Sequence, residues 1–399
     1  MSKWEEKRLE DIIDVNPPVK LKKGESYPFI DIDKVSPTCR SVINEEVKVY
    51  DGQSSSKFCD GDTVFSRITP CLENRKIAKV SINGDAAFGS TEFYVFRAKK
   101  KKADARFTYY LTSSDAVVLP AINSMTGASG RQRADKRFIQ RLKLNLPDLP
   151  TQERIADILS AYDDLIEANN RRIELLEQTA QELYKEWFVR FRFTRHENTK
   201  FEDGLPKGWT IKRLADYGRV ETGKTPSTDV LENYGGEMMF VKTPDMHGNI
   251  FIIQTEDKLS ERGHNTQPKK LLPANSIMVS CIGTAGVVSI NARPAHTNQQ
   301  INSIILNNPN ELEWLYHTCK SLKETIELFG ATGATMTNLS KGKFEKLKVV
   351  DPGEDLILAY HNKVKPLFDE IKSLMYQNQN LAAQRDMLLP RMMSGKLEV

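Results

Sequence analysis

The feature that most constrains this chain is that it says the same thing twice. Trp4-Glu-Glu-Lys-Arg-Leu9 returns as Trp209-Thr-Ile-Lys-Arg-Leu214, a shift of 205 residues. Ser66-Arg-Ile-Thr69 is matched by Ser280-Cys-Ile-Gly283, Gly127-Ala-Ser-Gly130 by Gly330-Ala-Thr-Gly333, and Leu142-Lys-Leu144 by Leu347-Lys-Val349. The four matches keep their order, with shifts between 203 and 214 residues. A period near 200 is too long for a solenoid and implies two related domains in one polypeptide.

Each copy runs into a long helical pattern. From Gln152 the apolar positions step by alternating four and three residues: Ile155, Leu159, Tyr162, Ile166, Asn169, Ile173, Leu176, Ala180, Leu183 and Trp187. That is a heptad seam held over more than four heptads. The second copy repeats it with Ile357, Tyr360, Val364, Leu367, Ile371, Leu374, Asn378, Leu381, Arg385 and Leu388. Pro150 lies just before the first helix, and Thr151, Glu153 and Arg154 suit its opening turn. Pro366 should kink or restart the second. Each seam holds one asparagine, Asn169 and Asn378, of the kind that fixes register when buried.

A rod of about 35 residues spans roughly 50 Å. Its seam is too narrow for a globular core and too long to leave in water. The economical solution is that the two rods pair, antiparallel, with a domain at either end and an approximate two-fold between them. The expected architecture is therefore α+β: a first mixed α/β domain at 1–150, a spacer helix at 151–192, a linker at 193–208, a second domain at 209–350 and a second spacer helix at 351–399. Strands are expected at Thr63–Phe65, Ala78–Ile82, Phe93–Phe96, Met238–Val241, Ile277–Cys281 and Ile301–Leu306, with a helical stretch near 104–119. Two globular domains held apart by a stiff spacer suit a duplex read at two places, since major-groove sites on one face recur about every 34–36 Å.

Composition narrows the setting. Of 399 residues, 39% are hydrophobic and 28% charged, which suits a soluble globular protein. The five cysteines form no CxxC pair, pointing to reduced thiols in a cytoplasm. MSKWEEKRLED lacks an apolar signal-peptide core. Ser276 to Ile290 is too short to span a membrane and reads as two buried strands and a turn. The net charge of +4 permits nucleic-acid binding without arguing for it.

Several motifs invite enzymatic readings. Gly218-Arg-Val-Glu-Thr-Gly223-Lys224-Thr225 satisfies GxxxxGK[ST], but a P-loop needs a buried strand before it and a helix opening at Lys-Thr, whereas Pro226 follows at once. The same loop can still hold a DNA phosphate. Asn16-Pro17-Pro18-Val19 resembles the tetrad of adenine methyltransferases but lacks the aromatic that stacks on a flipped base; a Pro-Pro turn entering a strand accounts for it better. His196, His247, His264, His296, His317 and His361 show no catalytic or metal-binding spacing. The run Lys99–Lys102 reads as a solvated turn or a phosphate contact. Tyr184, Trp187, Phe188, Phe191 and Phe193 read as a helix anchor or a docking surface.

Two segments carry a close resemblance to a known family: LPDLPTQERIADILSAYDDLIEANNRRIELLEQTAQELYKEWFVRFRF at 146–193 and LAAQRDMLLPRMMSGKLEV at 381–399. GDTVFSRI at 61–68, GSTEF at 89–93, TGKTPS at 222–227 and TNQQIN at 297–302 add to it. The chain resembles the specificity subunit of type I restriction–modification enzymes. The resemblance implies that each domain reads one half of a bipartite target in double-stranded DNA, and that the helix pair sets the gap. Two methyltransferase subunits, which bind S-adenosylmethionine, would dock on the chain, and restriction subunits that consume ATP would join them. The chain itself would be no enzyme and would bind no cofactor and no metal. The first repeat lacks the LPKGW lead-in present at 205–209.

Reading DNA takes Arg to guanine, Asn or Gln to adenine, and Lys, Ser or Thr to phosphate. The candidates in the first domain are Arg67, Arg75, Lys76, Ser90, Thr91, Arg131, Arg133 and Lys136. In the second they are Lys224, Thr225, Ser227, Lys242, Arg293, Asn298, Gln299, Gln300, Thr335 and Asn338.

Overall fold

The computed structural model describes residues 4–37, 39–43, 46–128, 130–330 and 338–399. They form two compact units. One comprises residues up to Ala168 together with Asn378–Val399, the other Asn169–Gln377. No helix among the described residues is long and apolar enough to cross a membrane.

The first unit is built on a five-stranded sheet in the order Ile13–Val15, Phe93–Ala98, Thr63–Ser66, Ile77–Ser81, Ser41–Ile43. Neighbours are antiparallel except the last pair, where Val42 runs parallel beside Val80. Thr63–Ser66 and the first four residues of Phe93–Ala98 are buried throughout, as aromatic and β-branched strands covered on both faces should be. A second sheet has the order Val47–Val49, Ser26–Ile30, Ala87–Gly89, Ser56–Phe58. The pair Trp4–Arg8 and Lys143–Pro147 closes the unit antiparallel.

The second unit repeats this plan. Its five-stranded sheet runs Gly218–Thr222, Ile301–Leu306, Ile277–Ser280, Val288–Asn291, Phe251–Ile252, and again only the last pair is parallel. Ala295–Thr297 lies parallel to Tyr234–Val241, as Ala87–Gly89 lies parallel to Ser26–Ile30. Thr210–Arg213 pairs with Lys348–Asp351, so Trp4 and Trp209 lead into equivalent strands. Ser276 to Ile290 is two buried strands joined by a turn, as expected.

The helical stretch expected near 104–119 is two helices, Ala105–Ser113 and Asp115–Asn123. Asp104 caps the first by accepting from the N–H groups of Arg106 and Phe107, both at 2.9 Å. Ser114, extended at φ −75° and ψ 159°, breaks the turn between them.

The first long helix is Leu149–Tyr184, followed by a π-helical turn at Lys185–Val189. It opens earlier than Gln152, because Asp148 accepts from Thr151 N–H at 3.1 Å and leaves Pro150 inside the first turn, where a missing N–H costs nothing. The second, Glu354–Met393, runs unbroken through Pro366, so the helix does not restart there. Pro366 and Asn362, whose carbonyl loses its partner, both face solvent, while Val364, Phe368 and Ile371 are buried on the other side. Water can take the freed carbonyl, and the buried face keeps the helix continuous.

Within each unit the two helices run antiparallel. In the first, Arg154 Nε donates to the Val399 carbonyl at 3.1 Å, and Arg385 Nη1 to Asp163 at 2.5 Å. In the second, Asn169 Nδ2 donates to Gln377 Oε1 at 3.0 Å, Arg172 pairs with Glu370, and Tyr360 Oη donates to the Ala180 carbonyl at 3.1 Å. The seam is not spent on the partner helix alone. Ile155, Leu159 and Met392 belong to one core with Phe96, Phe107 and Tyr110, and Tyr360, Val364, Phe368 and Ile371 to another with Phe251 and Trp314. Tyr162, Ile166, Ile173, Leu176 and Leu183, with Leu367, Leu381 and Leu388, are half-buried, whereas Leu374 is buried. The aromatic end of the first helix anchors it: Trp187 and Phe188 meet Tyr360 edge-on, and Phe191 and Phe193 pack on Trp209.

Candidate functional site

In the second unit the motifs TGKTPS and TNQQIN are brought together by backbone bonds. Gly223 N–H donates to the Ile301 carbonyl (3.1 Å), Lys224 N–H to Thr297 (3.0 Å), and Asn298 N–H to Val241 (3.1 Å). Gly223 is required by this approach, since a Cβ there would stand 2.1 Å from the Asn298 carbonyl oxygen. Side chains add to it. Thr222 Oγ1 donates to Asn302 Oδ1 at 2.6 Å, Thr225 Oγ1 to Gln299, and Thr243 Oγ1 to Gln300 Oε1 at 3.3 Å, while Asn298 Nδ2 donates to the same Oε1 at 3.2 Å. Asn338 joins through a bridge to Ile282, next to Cys281, whose N–H donates to the Gln300 carbonyl at 2.7 Å.

The result is one edge carrying Lys224, Thr225, Asn298, Gln299, Gln300 and Asn338. Lys224, Gln299 and Asn338 are exposed there, as is Ser227 further along the loop. Lys242 borders the edge but is paired with Asp257. Arg293 lies beyond the other end of strand Ala295–Thr297, where it donates to the Ile253 carbonyl at 3.0 Å. Thr335 lies outside the described residues.

The GxxxxGKT segment is a strand, Gly218–Thr222, followed by irregular backbone through Thr228. No helix opens at Lys224-Thr225, so no set of helix N–H groups cradles a triphosphate.

The corresponding edge of the first unit gathers Arg67, Ser90, Thr91 and Arg133. Arg67 N–H donates to the Glu92 carbonyl, Thr69 N–H to the Gln132 carbonyl, and Ile68 bridges Arg133. Glu92, which no sequence motif singles out, ties this edge together. It accepts from Arg67 Nε at 3.2 Å and from Arg133 through Nε at 2.9 Å and Nη2 at 2.6 Å. The Arg133 bonds, with the charge of Arg67, hold its carboxyl below the usual range despite partial burial. Arg67 also lies over the Tyr94 ring, 5.5 Å from its centroid. Glu92 was visible within GSTEF. Its partners were not, because they arrive by strand pairing and by a loop some forty residues on.

The other candidates in the first unit stand apart. Arg75 donates to the Ser113 carbonyl at 3.2 Å and pairs with Asp115. Lys76 Nζ donates to the Ile32 carbonyl at 3.0 Å. Lys136 opens the short helix Lys136–Gln140 behind the Asp135 cap, and Arg131 is exposed. Lys100, Lys101 and Lys102 are an exposed turn, whereas Lys99 Nζ donates to the Glu10 carbonyl at 2.6 Å. Asn16-Pro-Pro leaves a strand rather than entering one. Asn16, at φ 55°, exchanges bonds with Val95 through its N–H (2.7 Å) and its Oδ1 (2.9 Å). With its amide oxygen held this way, the tetrad is an end-stop for Ile13–Val15.

Among the described residues no three His, Cys, Asp or Glu side chains gather to hold a metal. His264 Nδ1 and His296 Nε2 lie 2.9 Å apart as an isolated pair.

Comparison with known proteins converges on one family. The model described as type I restriction modification DNA specificity domain matches residues 1–178 and 206–352. The chain is similar to the type I restriction enzyme HindI specificity subunit of Haemophilus influenzae, at 32% identity over 88% of this chain and 90% of that one. It is also similar to the MjaIX specificity subunit of Methanocaldococcus jannaschii, at 26% identity over 74% of this chain and 69% of that one. The solved S subunit of a type I restriction–modification system from M. genitalium shares the fold, with a TM-score of 0.57 at 14% identity over 98% of this chain and 96% of that one. The twofold sheet plan, the paired long helices and these matches agree: the chain belongs to the type I restriction–modification DNA specificity family.

Proposed function

We propose that this chain is the non-catalytic reading subunit of a type I restriction–modification complex working in the cytoplasm, and that its two domains read separate halves of one bipartite site on double-stranded DNA. The observation that carries the division of labour is the repeated sheet plan with unlike side chains on the equivalent edges: arginines with one glutamate in the first, lysine, amides and threonine in the second. Direct readout asks for this arrangement, with a common frame positioning different base-edge donors and acceptors. The DNA-facing groups are Arg67, Ser90, Thr91, Arg131 and Arg133 in one domain, and Lys224, Thr225, Ser227, Asn298, Gln299, Gln300 and Asn338 in the other. The long helices set the gap between half-sites and dock two methyltransferase subunits. S-adenosylmethionine is bound by those subunits, and ATP by the restriction subunits that join them.

The test is a domain exchange. Replacing 209–350 with the matching segment of a relative, in the full complex, should change the sequence of one half-site only. Four residues added near Gln178 should alter the tolerated gap and leave both half-sites as they were. If exchange rewrites both halves, the division of labour is wrong.

A further inference from the structure

The two edges share more than a strand order. Arg67 N–H donates to the Glu92 carbonyl at 2.9 Å, and Cys281 N–H to the Gln300 carbonyl at 2.7 Å. Ala134 N–H donates to the Arg67 carbonyl at 2.8 Å, and Leu339 N–H to the Cys281 carbonyl at 2.9 Å. Ile68 bridges Arg133 as Ile282 bridges Asn338. Even the side-chain support corresponds. Tyr94 Oη donates to the Ala134 carbonyl at 2.7 Å, and Asn302 Nδ2 to the Leu339 carbonyl at 3.3 Å.

Two backbone hydrogen bonds, a bridge and a side-chain bond thus define one frame, present twice, with three side-chain places on it. The first unit fills them with Arg67, Glu92 and Arg133, the second with Cys281, Gln300 and Asn338. In the first, one carboxylate meets two guanidinium groups and cannot neutralise both, so a positive charge is left over. Glu92 takes Nε from each arginine, and Arg133 Nη2 as well. A guanidinium carries five N–H donors in a rigid fork. With Nε committed to Glu92 and Cζ 5.5 Å from the Tyr94 ring centroid, Arg67 is held at two places and still has terminal N–H groups to offer a two-acceptor partner. A phosphate also takes a bidentate fork, but its several oxygens accept it over a range of orientations. The O6 and N7 acceptors of guanine need a fork fixed in orientation.

We propose that Arg67, Glu92 and Arg133 are the base-reading station of the first domain, with Glu92 a positioning residue that aims the arginines at the guanine of a G·C pair, and that Gln300 and Asn338 read from the equivalent places in the second, where the third place is closed by the buried Cys281. The proposal rests on the reading of the chain as a DNA-specificity subunit and adds which places on the frame encode the choice of base.

The experiment maps methylated adenines on host chromosomal DNA in cells carrying the full chain with its methyltransferase subunits. Glu92→Gln keeps the shape and one acceptor oxygen but loses the charge and the second acceptor. It should make one G·C position degenerate, with at least a tenfold fall in preference there, while the other half-site and the gap stay fixed. Arg133→Lys, which keeps the charge and loses the fork, should loosen the same half. A merely structural Glu92 would lower methylation at every site alike. Unchanged motifs in both variants overturn the station, as does degeneracy at an A·T position or in both halves. Loss of all methylation in both variants overturns it too, because a reading residue alters choice rather than abolishing turnover. A failed station with a successful exchange of 209–350 leaves the broader reading standing; an exchange that rewrites both halves removes that reading itself.

Discussion

Arg385→Met should open the first unit far more than the loss of one surface charge would. The Asp163 carboxylate is 3% exposed and has two donors, Tyr110 Oη and Arg385 Nη1, each at 2.5 Å. Methionine fills much of the arginine's volume but leaves a buried anion held by one phenol. Removing one partner of a buried pair costs about 3–5 kcal/mol. The arginine is itself 18% exposed, so water relieves part of the loss and the lower end, about 3 kcal/mol, applies. That is roughly a hundredfold in the opening equilibrium. The assay is native-state hydrogen exchange of the amides in Ala105–Ser113 and in residues 385–393, which reports local opening without requiring the whole chain to unfold in one step. The double variant Asp163→Leu with Arg385→Met removes both charges and should cost less than Arg385→Met alone. A single-variant change below about fivefold, or a double variant worse than the single, would refute the reasoning.

Three further outcomes follow. Burial pushes the His317 imidazole down to about 4 from an ordinary 6.5, so the folded chain resists a proton that the unfolded chain accepts. Stability of the second unit should therefore be full above pH 6.5 and fall as the pH drops towards 4, by about 3 kcal/mol from this group; His317→Asn should flatten that part of a thermal-melt series against pH, and an unchanged slope would contradict it. Lys224→Ala should weaken binding to matched and unmatched duplexes alike and reduce the salt slope by about one, measured by fluorescence anisotropy. Any loss of ATP turnover from the purified variant would instead mean that the loop is a nucleotide site. Gly223→Ala should separate TGKTPS from TNQQIN, lowering DNA affinity with little effect on the first unit's amide exchange, because the added Cβ would meet the Asn298 and Thr297 carbonyl oxygens.

Much of the framework was legible because it is written in periods. Ile301–Leu306 was delimited by its apolar, β-branched run, and both long helices by heptads that outlast any local accident. What sequence patterns could not supply were the effects decided by neighbours. Pro366 reads as a break until the burial of Val364, Phe368 and Ile371 opposes it. Phe368 stands off the heptad seam, yet it is buried against Phe251, Tyr316 and His317, so part of the second helix serves a domain core as well as the helix pair. Asp148 caps the first helix by accepting from Thr151 N–H, and places the start of the helix a few residues ahead of where the apolar period begins. At the candidate edges, the residue types were apparent and the pairing was not. Glu92 acquires its role only once the pairing of Phe93 with Ser66 and the bridge of Ile68 to Arg133 deliver two arginines to it.

The first unit is completed by residues that follow the second unit in the chain. Met392 is buried in its core, the Trp4 ring lies against Gly395, and Arg154 grips the Val399 carbonyl. During synthesis the amino-terminal domain must therefore wait, unfinished, while the whole of the second unit is translated. A premature stop after residue 377 would spare every residue of the later unit and injure the earlier one, so a truncated product would lose its grip on the half of the target read by the part of the gene transcribed first.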